Sequence, residues 1–275
     1  MIFYFSGTGN TRWAAQQLAA VTGERLLFIP DELKGQSTPD ELGQSTSDEL
    51  KGQCTYTLEA DERIGFCFPV HGWQPPAIVR RFIRRLTIKN PQGHYCYALV
   101  TCGDSIGRTM EMLNADLAPR GLHAQSLFSL VMPESYVCLP FMYTDSPERE
   151  QSKLSEADRQ LSQIAEQVRN RVGGLTETKR GLTPWLFTHV IGAYFNGHMV
   201  HDRKFTVDAD VCIHCGRCQQ VCPTGDVRLN ADGVPTWQHD GTCTSCLACY
   251  HYCPKHAIHR GQITRKRGQY YFGHP

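Results

Sequence analysis

Met1-Ile2-Phe3-Tyr4-Phe5 runs directly into Ser6-Gly7-Thr8-Gly9-Asn10-Thr11. Five apolar residues that stop at a turn of glycines and small hydroxyls read as a short buried strand. From residue 12 to 21 the pattern becomes helical, so the chain opens as strand, tight turn, helix. The same alternation continues downstream. Residues 25–29, 63–69, 95–101 and 127–132 are strand-like, rich in Ile, Phe, Val and Leu. Helical patterns fall at 77–86, 109–119 and 150–172. In the last, Leu154, Ala157, Leu161, Ile164, Val168 and Val172 recur at three- and four-residue steps. Strands alternating with helices predict an α/β fold, a five-stranded doubly wound parallel sheet.

The turn at 6–11 carries chemistry as well as topology. At the start of a helix, backbone N–H groups and small hydroxyls can surround a phosphate. The run matches neither G-x-G-x-x-G nor G-x-x-x-x-G-K-[ST], which disfavours a dinucleotide or a triphosphate. It suits the single phosphate of a mononucleotide, although such a turn also serves as an ordinary helix N-cap. Here residues 1–172 resemble the flavodoxins, whose phosphate loop is a Ser/Thr-x-Thr-Gly-x-Thr run at this place. Ser6, Gly7, Thr8, Gly9, Asn10 and Thr11 carry the match. The resemblance implies FMN, with two further loops enclosing the ring. By position these are Pro69-Val70-His71-Gly72-Trp73 and Thr101-Cys102-Gly103-Asp104, the latter running on to Ser105. Ligand sites outside the carboxyl ends of the strands are the rule for open α/β sheets. Trp73 either stacks on the ring or caps an apolar surface. His71 is a proton donor or a structural histidine, and Cys102 a redox thiol or a small packing residue.

A second motif lies near the other end. Cys212, Cys215, Cys218 and Cys222 are followed by Pro223, and Cys243, Cys246, Cys249 and Cys253 by Pro254, an offset of 31 residues. A doubled C-x₂-C-x₂-C-x₃-C-P run is the ligand pattern of two 4Fe-4S clusters, with the fourth cysteine of each run serving the other cluster. On that pattern Cys212, Cys215, Cys218 and Cys253 take one cluster, and Cys243, Cys246, Cys249 and Cys222 take the other. Structural zinc prefers two C-x₂-C pairs separated by a longer loop. A disulfide framework needs an oxidising compartment, and the N-terminal run does not resemble a secretory signal. Past the prolines Val227 aligns with Ile258 as a core position. Asp226 stands where many such motifs have Ala, a departure that affects packing rather than ligation.

The remaining features set bounds. Of 275 residues, thirteen are cysteines, and the five outside the motif (Cys54, Cys67, Cys96, Cys102, Cys138) read as buried small hydrophobes. Net charge is +1, which makes no case for nucleic acid. No apolar run approaches the roughly 18 residues of a transmembrane helix. The thiols suggest a reducing cytoplasm, and oxygen-sensitive clusters an anaerobic setting. An acidic element recurs three times within 31–53, beginning at Asp31, Asp40 and Asp48, and reads as a surface insertion. Residues 173–202 read as a polar linker followed by an apolar connector. The connector packs the two domains together, covers a cluster, or touches a membrane surface. The ferredoxin-like end, 203–275, has nine Lys and Arg against five Asp. Its Arg265-Lys266-Arg267 run could steer an acidic protein redox partner.

Together these features identify the chain as a member of the flavodoxin–ferredoxin fusion family. That resemblance implies an electron-transfer protein, moving electrons between FMN and two clusters. Two other readings stand beside it: a flavin-dependent reductase of a small substrate such as a quinone, and a redox-sensing interaction module.

Overall fold

A computed structural model describes residues 1–34 and 52–274. The acidic repeat lies mostly outside the described residues. In chain order the first part consists of β1 (Ile2–Tyr4), α1 (Asn10–Thr22), β2 (Leu26–Phe28), α2 (Ile29–Lys34), β3 (Cys54–Tyr56) and β4 (Ile64–Pro69). It continues through α3 (Ala77–Arg85), β5 (Leu86–Ile88), β6 (Cys96–Cys102), α4 (Thr109–Leu117), β7 (Ser126–Val131) and α5 (Pro147–Arg169). The main sheet is parallel throughout, in the order β2-β1-β4-β6-β7. This is the flavodoxin-type order, and every one of the five expected strands takes part. A sixth edge strand, β8 (Thr176–Glu177), pairs with β7 inside the stretch expected to be a plain linker. Strands β3 and β5 form a separate parallel pair that periodicity did not reveal.

Burial on both faces explains why the central strands read as continuous apolar runs rather than alternating ones. On one face Phe3, Phe66, Phe68, Ala98 and Val100 pack with Ile78, Val79, Phe82, Met110 and Leu113. On the other, Ile2, Cys67, Leu99, Phe128 and Leu130 meet Ala14, Leu18, Leu161, Ile164 and Val168. Helix α5 begins with Ser146 as N-cap, its hydroxyl accepting from the Arg149 N–H, with Pro147 in the first turn. The expected start at residue 150 was late by those three residues.

The connector forms a helical strap. Helix α6 (Pro184–Leu186) passes through a π-helical turn (Phe187–Ile191) into α7 (Gly192–His198). Beyond it come β9 (Phe205–Val207), α8 (Arg217–Val221), β10 (Val227–Leu229), β11 (Pro235–Trp237), α9 (Ala248–His251) and β12 (Ile258–Arg260). β9 pairs antiparallel with β12, and β10 with β11. Val227 and Ile258 are both buried in one core with Phe205 and Tyr250, as their alignment predicted. That core also takes Val137 and Cys138 from the loop after β7, so the two parts share apolar packing.

Candidate cofactor sites

The carboxyl ends of β1, β4, β6 and β7 surround a cavity of about 210 Å³. All three sequence-selected loops line it: Ser6, Gly7, Thr8, Asn10 and Thr11; Pro69 through Trp73; and Thr101 through Asp104. Gly9 does not line the cavity but caps α1 in the left-handed region, its N–H donating to Ser6 Oγ at 3.2 Å. The first turn of α1 has no acidic residue, so its free N–H groups face an end of the cavity suited to an anion. Two polar residues of the loop are already engaged. Thr11 Oγ1 pairs with Thr101 Oγ1 at 2.7 Å, and Asn10 donates to the Pro133 carbonyl while accepting from Tyr270 Oη at 2.6 Å. Ser6 and Thr8 thus carry the hydroxyls left for a phosphate.

The second loop turns back on itself. His71 and Gln74 exchange backbone hydrogen bonds, and Gly72 and Trp73 between them are left-handed. Trp73 donates its indole N–H to Ser105 Oγ at 3.2 Å and packs against Phe187, with ring centroids 4.6 Å apart. Burial pushes the His71 imidazole down to about 4, so it is neutral near pH 7. Cys102 is buried, its thiol donating to the Leu130 carbonyl, and burial raises it to about 12. That is a packing thiol rather than a nucleophile. The Asp104 carboxylate turns outward to Lys179, 3.1 Å away.

The other walls were not foreseen. The loop after β7 contributes Glu134, Ser135, Tyr136, Leu139 and Met142. One signal was available: a stretch of 17 residues between the expected strand and helix is longer than an ordinary connection. Glu134 accepts from the N–H groups of Ser135 and Tyr136. Burial nevertheless holds its carboxyl above the ordinary range, against the pull of those donors and of Lys153. Phe195 closes the cavity from the strap, and Thr244, Ser245 and Cys246 close it from the second cysteine run. A Cβ on Gly7 would lie 2.6 Å from Cys246 Cβ, so only glycine admits this approach. The tail locks the junction: Phe272 donates its N–H to Thr8 and stacks on Trp13 at 5.1 Å.

The cysteines separate into two sets. Cys212, Cys215, Cys218 and Cys253 line one cavity; Cys222, Cys243, Cys246 and Cys249 line another. These are the crossed sets the spacing implied. The repeat extends to the backbone, since His214, Gly216 and Gly225 are left-handed and so are Ser245, Leu247 and His256, each 31 residues on. The Ser245 N–H points at Cys243 Sγ (3.4 Å) and the Ala257 N–H at Cys253 Sγ (3.3 Å), donors suited to charged sulfur. Among the described residues no three His, Cys, Asp or Glu side chains close on a single metal ion. Asp226 lines the second of these cavities, the inner one because Thr244 and Cys246 also line the loop cavity, and it is 1 % exposed with Asp202 and Cys243 beside it. Burial and the nearby Asp202 carboxylate raise its carboxyl to about 6.

Of the basic run, Arg265 lies 3.6 Å from Asp208. Arg267 donates to the Pro140 carbonyl and covers Tyr143 at 3.6 Å, a structural use.

Paired tetrathiol cavities on a small antiparallel scaffold define an iron–sulfur electron-transfer protein. Two family models, each described as a 4Fe-4S dicluster domain, match residues 204–254 and 176–225. A ferredoxin of Pyrobaculum islandicum is 30% identical over 77 residues, covering 26% of this chain and 69% of its own. Ferredoxin-3 of a Nostoc species is 36% identical over 67 residues, covering 18% and 69%. Among solved structures, rubredoxin oxygen:oxidoreductase of Desulfovibrio gigas aligns over 62% of this chain and 36% of its own. Its TM-score of 0.32 and 15% identity are too low to carry an argument. Through its C-terminal region the chain belongs to the ferredoxin family, with a dicluster 4Fe-4S domain. Among the described residues no helix is long and apolar enough to cross a membrane.

Proposed function

We infer that residues 1–172 hold FMN, and that the chain is a flavodoxin–ferredoxin fusion exchanging electrons with a protein redox partner. The observation that carries this reading is a shared wall: Thr244 and Cys246 line both the loop cavity and the inner tetrathiol cavity. Ser6, Thr8 and the first N–H groups of α1 would take the phosphate. Val70, His71, Trp73, Tyr136 and Met142 would enclose the ring. Cys212, Cys215, Cys218 and Cys253 would hold one cluster, and Cys222, Cys243, Cys246 and Cys249 the other. When bound, these groups supply one-electron transfer at the clusters and one- or two-electron transfer at the flavin.

The chain's own contribution is burial, orientation and charge. Phe195, Leu139 and Tyr136 give the loop cavity an apolar wall, and neutral His71 adds no cation there. At the outer tetrathiol cavity Cys215 is exposed, as are Val211 and Ile213. Arg217 and Lys255 border the same cavity. Apolar residues among basic ones suit docking by an acidic redox protein.

Anaerobic cofactor analysis of the purified chain tests the reading. About eight irons and about one FMN per chain are expected for two cubane clusters and one flavin site. Intact clusters with no affinity for added FMN would sink it.

A further inference from the structure

The outer face of the strap is apolar where a surface helix is ordinarily charged. Between residues 181 and 201 there is no Asp, Glu, Lys or Arg. Trp185 is 58% exposed and Tyr194 62%, and Leu182, Leu186, Val190 and Ile191 are exposed beside them. This is a contiguous stretch of aromatic and aliphatic side chains, of the kind that marks an interaction surface.

The face is fixed in that orientation. Thr188 Oγ1 accepts from the Arg108 N–H at 2.8 Å and donates to the Trp73 carbonyl at 3.2 Å. Gln74 donates to the Thr188 carbonyl, and Asn196 to the His71 carbonyl. Gly192 packs so closely on the Gly72 carbonyl that an added Cβ would sit 2.1 Å from it. The strap therefore cannot roll its apolar side inward without breaking the loop beneath. Within it, the π-helical turn adds a residue to the register and leaves both Val190 and Ile191 outside.

Charge decides what covers this face. Lys179 and Arg180 precede it, and Arg203 and Lys204 follow it. Arg108 and Arg180 line an open groove with Trp185 and Leu186. Lys179 is paired with Asp104, and Arg108 and Arg180 share Glu111, whereas Arg203 and Lys204 form no ion pair among the described residues. Five basic side chains thus stand against three acidic ones, Asp104, Glu111 and Asp202, the last buried and paired with His239. A second copy of the chain would bring these cations face to face. An anionic lipid surface would not, and Trp and Tyr are the side chains that settle at a headgroup boundary. We propose that the strap is a peripheral membrane-docking element, its apolar side seated in the interface of an anionic bilayer. This requires no bound flavin, so it stands or falls separately from the cofactor assignment.

The test is sedimentation of the cluster-containing protein with vesicles of phosphatidylcholine, alone or mixed with phosphatidylglycerol. Binding is expected only with phosphatidylglycerol present, and should weaken as salt is added. Trp185→Glu combined with Tyr194→Glu should reduce it by about tenfold or more, given the apolar area lost. Arg203→Ala and Lys204→Ala should each reduce it by roughly fivefold. Trp185→Phe should retain it, and unchanged cluster absorbance establishes that each variant is folded. No binding to either vesicle, or full binding by the double glutamate variant, would overturn the proposal. So would a dimer that the same double variant dissociates, which would assign the face to a second copy.

Discussion

Gly7 of the first loop lies against Cys246 of the second cysteine run, where an added Cβ would come within 2.6 Å of Cys246 Cβ and 3.2 Å of its sulfur. Residues 239 positions apart thereby join the loop cavity to the inner tetrathiol cavity. Gly7→Ala should force the two apart at a cost of about 1–3 kcal/mol, the usual range for overpacking. We expect weaker FMN binding by equilibrium titration with iron content unchanged. Equal affinity in the variant would show that the contact is incidental to the site.

The crossed thiol sets make a second expectation. Cys253 lies in the second run but lines the cavity built by the first, and Cys222 is its counterpart. Cys253→Ser should therefore lose or degrade the cluster at Cys212, Cys215 and Cys218 while sparing the other. Cys222→Ser should do the reverse. Iron content and the electron paramagnetic resonance signal of each reduced variant distinguish these outcomes. Damage to the cluster of the substituted run would show that ligation is not crossed.

Much of this was legible beforehand because it is local. Strand runs, the phosphate-type turn and the cysteine spacing are set by neighbouring residues and a period. Residues 6–11, 69–73 and 101–104 meet because β1, β4 and β6 are adjacent parallel strands, which an alternating chain implies. What stayed hidden depends on docking. Nothing near Gly7 announces Cys246, and nothing near Thr8 announces the return of Phe272. Glu134 escaped because its loop has no period and its importance comes from where β7 ends. The two-residue β8 is too short to register as a strand, and the polar run around it resembles a linker.

The loop cavity also predicts a pH dependence. His71 titrates near 4 in the folded protein because burial disfavours its charged form, against an ordinary value of 6.5. The unfolded chain therefore binds a proton first as pH falls. This stabilisation is fully present above pH 6.5 and is lost progressively as pH drops from about 6.5 towards 4. A His71→Gln variant should lose about 1–3 kcal/mol less than the parent over that window. Urea unfolding at a series of pH values measures the difference. Parallel profiles for the two proteins would show that His71 takes up its proton as readily in the fold as in the unfolded chain.

Asp226 offers the sharpest case of a residue kept against its own stability. It occupies a core position beside Val227, with the Asp202 carboxylate and the Cys243 thiol facing it. Burying a carboxyl against a second carboxylate costs about 1–3 kcal/mol. Asp226→Ala, the residue common at this place in related motifs, should thus stabilise the protein by about that amount in denaturant unfolding. It should also act on the cluster beside it, since Asp226 lines the cavity of Cys222, Cys243, Cys246 and Cys249. A carboxylate there opposes the arrival of an electron, and its removal should raise that cluster's midpoint potential while leaving the outer one unmoved. Asp226→Asn, which keeps the volume but not the charge, should reproduce the shift in potential with a smaller gain in stability. If the alanine variant is destabilised and its potential unchanged, the carboxyl has a hydrogen-bonded structural role in the loaded protein instead.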